Sequence, residues 1–177
     1  MAENLKGNEN NKKVNIFSHI NRFDLILALI GTFIGVSLIT ILSVNYDSAF
    51  LIASFGASAV ILYTTPKSPF ARPQNVICGH VLAAITGIVM YKVFGITWWS
   101  LALTVTIANG IMIITNTIHP PAGATSLIAI LTKASPIFII KPVLVGTIIL
   151  VVWAILMNKI HDKIKNHRNK VEEEKAV

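Results

Sequence analysis

The chain has 177 residues, of which 54% are hydrophobic and only 13% are charged. Such an apolar composition is atypical of a soluble globular protein and predicts an integral membrane protein. The net charge of +7 is typical of nucleic-acid binders when it covers a folded surface, but here four of the fifteen basic residues precede Asp24 and six lie from Lys159 onward. This placement indicates membrane-flanking tails and excludes nucleic acid as a partner.

The first part of the chain predicts a polar arm, a membrane-spanning helix and a shorter apolar element. Residues 1–24 are too polar to enter a membrane and form the arm. Residues 25–44 carry no charge and, at about 1.5 Å per residue, can cross a hydrocarbon core of about 30 Å. The next apolar run, 49–63, is shorter and is interrupted by the Ser-Phe-Gly-Ala-Ser sequence of residues 54–58. We therefore predict a broken element whose short helix begins at Gly56.

The third helix of the first half follows, and the second half then repeats the order of a long helix, a short helix and a further helix. After a proline-containing loop, residues 76–95 predict a helix, and the uncharged run 98–118 opens with two tryptophans that are typical of a membrane interface. The sequence His-Pro-Pro-Ala-Gly at 119–123 then breaks the chain. The apolar run 124–131 covers only about half a bilayer as a helix. Residues 142–157 fit the last helix.

An internal repeat connects the two halves. Sliding the sequence by 67 residues matches residues 56–92 onto 123–159 with eleven identities. Each unit contains three crossings, and an odd number inverts the second unit. We predict an all-α, polytopic transmembrane helix bundle of two inverted three-helix repeats, about 25–95 and 96–160, each with a broken or half helix. A four-helix arrangement with both short segments re-entrant is the alternative.

The basic residues predict the orientation. With both termini in the cytoplasm, twelve of the fifteen lie on the cytoplasmic side, including those of the charged tail 161–177. Only Lys92, Lys133 and Lys141 lie outside. We expect a multi-pass protein of the cell membrane, and we expect a homo-oligomer, because six short helices make a thin wall around a solute path.

The beginnings of the two short helices are the first candidate site. Unpaired backbone amides and the positive end of the helix dipole attract an anion there without a buried lysine. The candidate residues are Gly56, Ala57 and Ser58 in the first half and Gly123, Ala124, Thr125 and Ser126 in the second. The alternative is that these small residues only permit close packing between helices.

Two histidines accompany these segments. His80 lies inside a predicted span, where an ionisable side chain suggests a function. His119 precedes Pro120 and Pro121 at the second break, and we include these three residues in the candidate binding site. Either imidazole could bind an anion or a proton, since its pKa is ordinarily near neutral. A purely structural role is the alternative for both.

Two asparagines could line the path of a solute. Asn109 and Asn116 are seven residues apart and share a face of the predicted helix, where they could instead hydrogen-bond to neighbouring helices. The single cysteine, Cys78, excludes both an internal disulfide and a cysteine metal cluster. We expect neither a metal nor another cofactor.

Several blocks of the sequence resemble the HPP family of integral membrane proteins. They are the run 118–126 (Ile-His-Pro-Pro-Ala-Gly-Ala-Thr-Ser), residues 55–60, the Ser68-Pro69 pair, residues 74–77 and the Gly79-His80 pair. The resemblance covers about residues 20–160. It implies a multi-helix membrane protein, often with four predicted spans. Because some plant and cyanobacterial members are described as nitrite transporters, it also implies a small inorganic anion as the substrate.

We therefore expect a transporter or channel for a small monovalent anion, with nitrite as the first candidate. One alternative is a structural subunit of a membrane complex that transports nothing. Another is an intramembrane enzyme that uses His80 and His119. The enzyme is disfavoured because the predicted spans contain no paired carboxylates, no cysteine nucleophile with a base and no metal cluster.

Overall fold

The computed structural model describes the backbone of residues 22–45 and 51–176 and the side chains of residues 22–41 and 53–171. These residues form six α-helices with short 3₁₀ and π segments, and no strand occurs among them. In chain order the α-helices are Arg22–Asn45 (α1), Leu51–Thr64 (α2), Pro73–Phe94 (α3), Trp98–Ile114 (α4), Ala122–Leu131 (α5) and Val145–Ala176 (α6).

The lengths of the helices confirm an all-α transmembrane fold. Three apolar stretches are long enough to cross a membrane: Arg22–Ile41 in α1, Pro73–Phe94 in α3, and Ile139–Val171, which combines a π-helical segment with most of α6. Helices α2, α4 and α5 are apolar but shorter. The middle helix is the shortest of the three in each half, as the repeat predicts. The inversion of the second half stays a prediction.

The break that we predicted at Gly56 is wrong. Helix α2 runs from Leu51 to Thr64 without interruption, so Gly56, Ala57 and Ser58 lie inside it. Glycine and serine lower helix propensity but do not remove a backbone amide, as proline does. The hydroxyl oxygen of Ser58 also lies 3.0 Å from the carbonyl oxygen of Ser54 one turn earlier, which is a common arrangement inside helices.

Other boundaries differ by a few residues. The 1–21 part of the predicted arm lies outside the described residues, and α1 already includes residues 22–24. Helix α4 ends at Ile114, before the predicted residue 118. The predicted short helix in the second half begins close to its expected position, since α5 starts at Ala122. The last helix extends well beyond residue 157 into the charged tail.

Local signals explain the turn between α3 and α4. Gly95 adopts a φ of 65°, which is available to glycine without strain, and it ends α3. Thr97 then caps α4, because its hydroxyl accepts from the Ser100 amide while the Ser100 hydroxyl accepts from the Thr97 amide. This capping box directs α4 back along α3, against which it packs.

The packing between the halves is reciprocal. Helix α3 of the first half contacts α4 and α5 of the second, while α6 of the second half contacts α1 and α2 of the first. Two glycines that match in the repeat make these approaches possible. A Cβ at Gly79 would lie 3.0 Å from the His119 Cβ, and a Cβ at Gly146 would collide with the ring of Phe55. Each third helix therefore receives a residue from the short-helix region of the other half.

Gly87 provides a test of this packing. A Cβ at Gly87 would collide with the Ser126 carbonyl and lie 2.6 Å from the Ala129 Cβ, whereas a Cβ at Gly110 of α4 would meet nothing within 4 Å. We expect Gly87→Ala to lower the free energy of unfolding by about 1–3 kcal/mol through overpacking. Gly110→Ala is the control and should not destabilise. Thermal unfolding in detergent compares the two, and equal stability would contradict the packing of α3 on α5.

Candidate functional site

A cluster of five polar side chains lies at the centre of the helix bundle. Its members are Ser54 and Ser58 of α2, His80 of α3, His119 between α4 and α5, and Thr125 of α5. Each of these five side chains has an exposed fraction of 0%. We call this set the buried polar network. Because buried polar groups in a membrane protein must find partners within the protein, its hydrogen bonds determine what the site can do.

Ser58 links the two imidazoles. Its hydroxyl oxygen lies 2.9 Å from Nε2 of His80 and 2.9 Å from Nε2 of His119. The other ring nitrogen of His80, Nδ1, lies 2.7 Å from the hydroxyl oxygen of Thr125, which in turn lies 2.8 Å from that of Ser54. The five side chains therefore form one continuous chain of hydrogen bonds.

Two backbone carbonyls stand at the ends of the network. Nδ1 of His119 lies 2.8 Å from the carbonyl oxygen of Phe70, in the short 3₁₀ helix before α3. At the other end, the Ser54 hydroxyl lies 2.8 Å from the carbonyl oxygen of Pro121, which immediately precedes α5. The network thus extends from the connection between α2 and α3 to the first turns of α2 and α5.

The surrounding sequence holds His119 in place. Asn75, in the first turn of α3, donates from Nδ2 to the carbonyls of Pro69 and Ile118, at 3.1 and 3.2 Å. These bonds tie the segments that carry Phe70 and His119 to each other. The absence of a side chain at Gly79 leaves room for His119, and the ring of Phe55 packs edge-on against His80 with the centroids 5.2 Å apart.

Several predicted site residues lie outside the network. Gly56 and Ala57 are on a less buried face of α2, and Gly123 and Ala124 are on a less buried face of α5. Ser126 is buried, but its hydroxyl donates to the carbonyl oxygen of Gly123 within α5. The structure therefore brings together Ser58, His80, His119 and Thr125 from the predicted set, with Pro121 contributing its carbonyl.

The asparagines and the helix-start amides also differ from expectation. Asn109 and Asn116 are both exposed, and Asn116 lies beyond the end of α4 with a φ of 55°, so they do not share a face of one helix. The amides of Ala122, Gly123 and Ala124 are not free for an anion. They donate to the carbonyls of the three preceding residues, 119–121, at 2.9–3.1 Å.

Ser54 is the network residue that the sequence reasoning missed. Ser54 and Ser58 are four residues apart and share a face of a continuous helix. The predicted break at Gly56 placed the two serines in different elements and hid this relation. The i, i+4 spacing of the two hydroxyls was the available signal.

The region around the network has very little acidic character. Between Asp24 and Asp162 the sequence contains one acidic residue, Asp47, which lies outside the described residues. Within the described ranges, no three His, Cys, Asp or Glu side chains come together to hold a metal ion. The donors and acceptors of the site are therefore imidazoles, hydroxyls and backbone carbonyls.

Residues 118–126, which resemble the HPP signature, supply His119, the Pro121 carbonyl and Thr125 to the site. A family model described as the HPP transmembrane region matches residues 18–168. The chain belongs to the HPP transmembrane family. Membership confirms the resemblance and the transmembrane character of the chain.

Two curated relatives of this HPP protein are transmembrane proteins of Dictyostelium discoideum. One is 32% identical over 148 residues, which cover 77% of this chain and 48% of the relative. The other is 40% identical over 116 residues, which cover 61% of this chain and 41% of the relative. The chain thus spans less than half the length of either relative. No solved structure matches it significantly.

The hydroxyl of Ser58 should be important for stability. Ser58→Ala leaves Nε2 of both buried imidazoles without its partner, and a buried unsatisfied group costs about 1–3 kcal/mol. Ser126→Ala is a matched control, since that buried serine bonds only within its own helix. We expect a clearly lower melting temperature in detergent for Ser58→Ala than for Ser126→Ala. Similar melting temperatures would contradict the bridging role.

Proposed function

We propose that this HPP protein is a transporter or channel for a small monovalent anion, with nitrite as the first candidate. The observation that carries the proposal is the buried polar network, which is rich in hydrogen-bond donors and has no carboxylate among its members. A carboxylate would repel an anion, whereas hydroxyl and imidazole groups can donate to one. The family resemblance to nitrite-transporting proteins supports the same substrate class.

The position of the network supports an anion rather than a neutral solute. Ser54 lies in the first turn of α2, and its bond to the Pro121 carbonyl places that turn against the beginning of α5. The positive ends of both helix dipoles are therefore near the network, and both favour negative charge. Because the first amides of α5 are already bonded, the direct donors to an anion are the side chains of the network.

The complete burial of the network has a further consequence for this proposal. An anion has to displace at least one internal hydrogen bond before it can enter, so the described conformation is an occluded one. The protein then works by opening the site to one side at a time. We also propose a homo-oligomer in the cell membrane with both termini in the cytoplasm, on the basis of the thin helix bundle and the distribution of basic residues.

Thr125→Val tests the site. The substitution keeps the shape of the side chain but removes the hydroxyl that joins His80 to Ser54. Thr106→Val is the matched control, because Thr106 is exposed on α4 and its hydroxyl bonds only to the carbonyl of Ala102. In proteoliposomes, we expect nitrite uptake to fall at least about tenfold, which corresponds to about 1.4 kcal/mol, in Thr125→Val and to be retained in Thr106→Val.

Two results would count against the proposal. If the wild-type protein moves nitrite, nitrate, formate and chloride no faster than protein-free liposomes under any gradient, the protein is not a transporter of this class. If wild type transports one of these anions and Thr125→Val transports it equally well, the buried polar network is not the anion site.

A further inference from the structure

The hydrogen bonds of the buried polar network can be assigned a direction by counting protons. A carbonyl oxygen only accepts, so the short contact between Nδ1 of His119 and the Phe70 carbonyl requires a proton on Nδ1. In a neutral imidazole the other nitrogen is then an acceptor. Nε2 of His119 therefore needs a donor, and the Ser58 hydroxyl lies 2.9 Å away. The Ser54 carbonyl, 3.0 Å from the same hydroxyl, already accepts from the Ser58 amide within α2, so the one hydroxyl proton of Ser58 is directed to Nε2 of His119.

The remaining directions follow from this first one. Because the Ser58 proton is directed to His119, the bond between Ser58 and His80 must use a proton on Nε2 of His80. Nδ1 of neutral His80 then accepts from Thr125, and Thr125 accepts from Ser54. Each of the five links from Ser54 to Phe70 is filled once, and all the protons point from Ser54 toward Phe70. Among the described groups, the Pro121 carbonyl, beyond Ser54, then accepts only from the Ala124 amide.

The buried polar network can take up one additional proton without a change in its heavy-atom positions. The Ser58 proton moves to Nε2 of His119 and the Nε2 proton of His80 moves to Ser58, so that His119 donates to Ser58 and Ser58 donates to His80. In the same way the Thr125 proton moves to Nδ1 of His80 and the Ser54 proton moves to Thr125. The added proton replaces the one that Ser54 gave up, and the Ser54 hydroxyl donates it to the Pro121 carbonyl, which lies 2.8 Å away. Four bonds reverse, none is lost, and the network carries one positive charge.

The surroundings favour one additional proton rather than two. The centroids of the two imidazoles are only 5.0 Å apart, so two cationic rings would repel each other strongly at this depth. The groups that face the rings are the hydroxyls of Ser58 and Thr125, the ring of Phe55 and the Phe70 carbonyl. None of these groups is charged, so among the described side chains each imidazole faces one other titratable group, which is its partner ring.

A single buried positive charge without a carboxylate needs a counter-ion, since an unpaired charge in a low-dielectric interior is very unfavourable. We infer that a proton enters the buried polar network with each monovalent anion, so that this HPP protein carries the two together without net charge. This inference rests on the proposed anion transport. The proton comes from water on the open side, is held on the His119 imidazole, and returns to water with the anion on the other side.

The flux experiment uses the full chain in liposomes that contain a pH-sensitive dye, with nitrite as the probe. Protein-free liposomes give the background from permeation of nitrous acid. Valinomycin and a potassium gradient set the membrane potential. We expect one proton to enter with each nitrite ion. We also expect the rate of nitrite uptake to stay within about twofold when the membrane potential changes, because a carrier that moves no net charge does no work against the potential.

His119→Gln tests whether the network carries the proton. The amide of glutamine can still donate and accept hydrogen bonds, but it does not titrate. We expect proton uptake to be lost, and any remaining nitrite uptake to depend on the membrane potential. Thr106→Val is again the control and should keep one proton for each nitrite. Proton coupling that persists unchanged in His119→Gln would overturn the inference.

The wild-type protein also allows a test that does not depend on a folded variant. In the neutral network, the proton count requires His119 to carry its proton on Nδ1 and His80 to carry its proton on Nε2. Nitrogen-15 NMR of the purified protein distinguishes these tautomers, with His80→Gln or His119→Gln used only for assignment. A neutral His80 with its proton on Nδ1 would overturn the inference.

The outcomes separate the two proposals. Nitrite uptake without proton uptake in wild type would overturn proton coupling and leave anion transport in place. The absence of uptake of any tested anion would overturn anion transport, and proton coupling would fail with it.

Discussion

The Ser58 hydroxyl is the interaction on which the centre of this protein depends. It lies between two imidazoles that have no carboxylate partner in the described part of the chain, and it connects α2 to α3 and to the segment before α5. In a bilayer, water is not available to satisfy such groups, so the protein has to supply every partner itself. The positions of the short helices follow from this requirement, because only their close approach brings Ser54 and Ser58 to His80, His119 and Thr125.

The same requirement explains where the glycines matter. Gly79 and Gly87 lie on α3 facing His119 and α5, and a side chain at either position would push these partners away. Gly56 and Gly110 have open space around them instead. The glycines in the helices of this chain therefore fall into two groups. At close approaches it maintains the hydrogen-bond distances of the network, whereas at the open positions no packing constraint explains it.

The sequence predicted the outline of the fold and part of the site, for identifiable reasons. Long uncharged runs locate spans without tertiary information, and His80 and His119 are conspicuous because ionisable residues are rare in lipid. The break at Gly56 was wrong because helix propensity is a weak constraint once packing favours a continuous helix. Ser54 was missed for the same reason. The exposure of Asn109 depends on how α4 rotates against its neighbours, which no local pattern determines.

Residues that are equivalent in the sequence repeat lie together in the buried polar network. Ser54 and Pro121, whose hydroxyl and carbonyl are bonded, are 67 residues apart, which is the offset that aligns the two halves. Ser58 and Thr125 of the same network have this separation as well. In a structure with a two-fold relation between its halves, equivalent residues contact each other only near the axis. If the halves are inverted repeats, the network therefore lies on that axis. Exchanging the conformations of the two halves would then expose the proposed proton and anion site to the opposite side of the membrane.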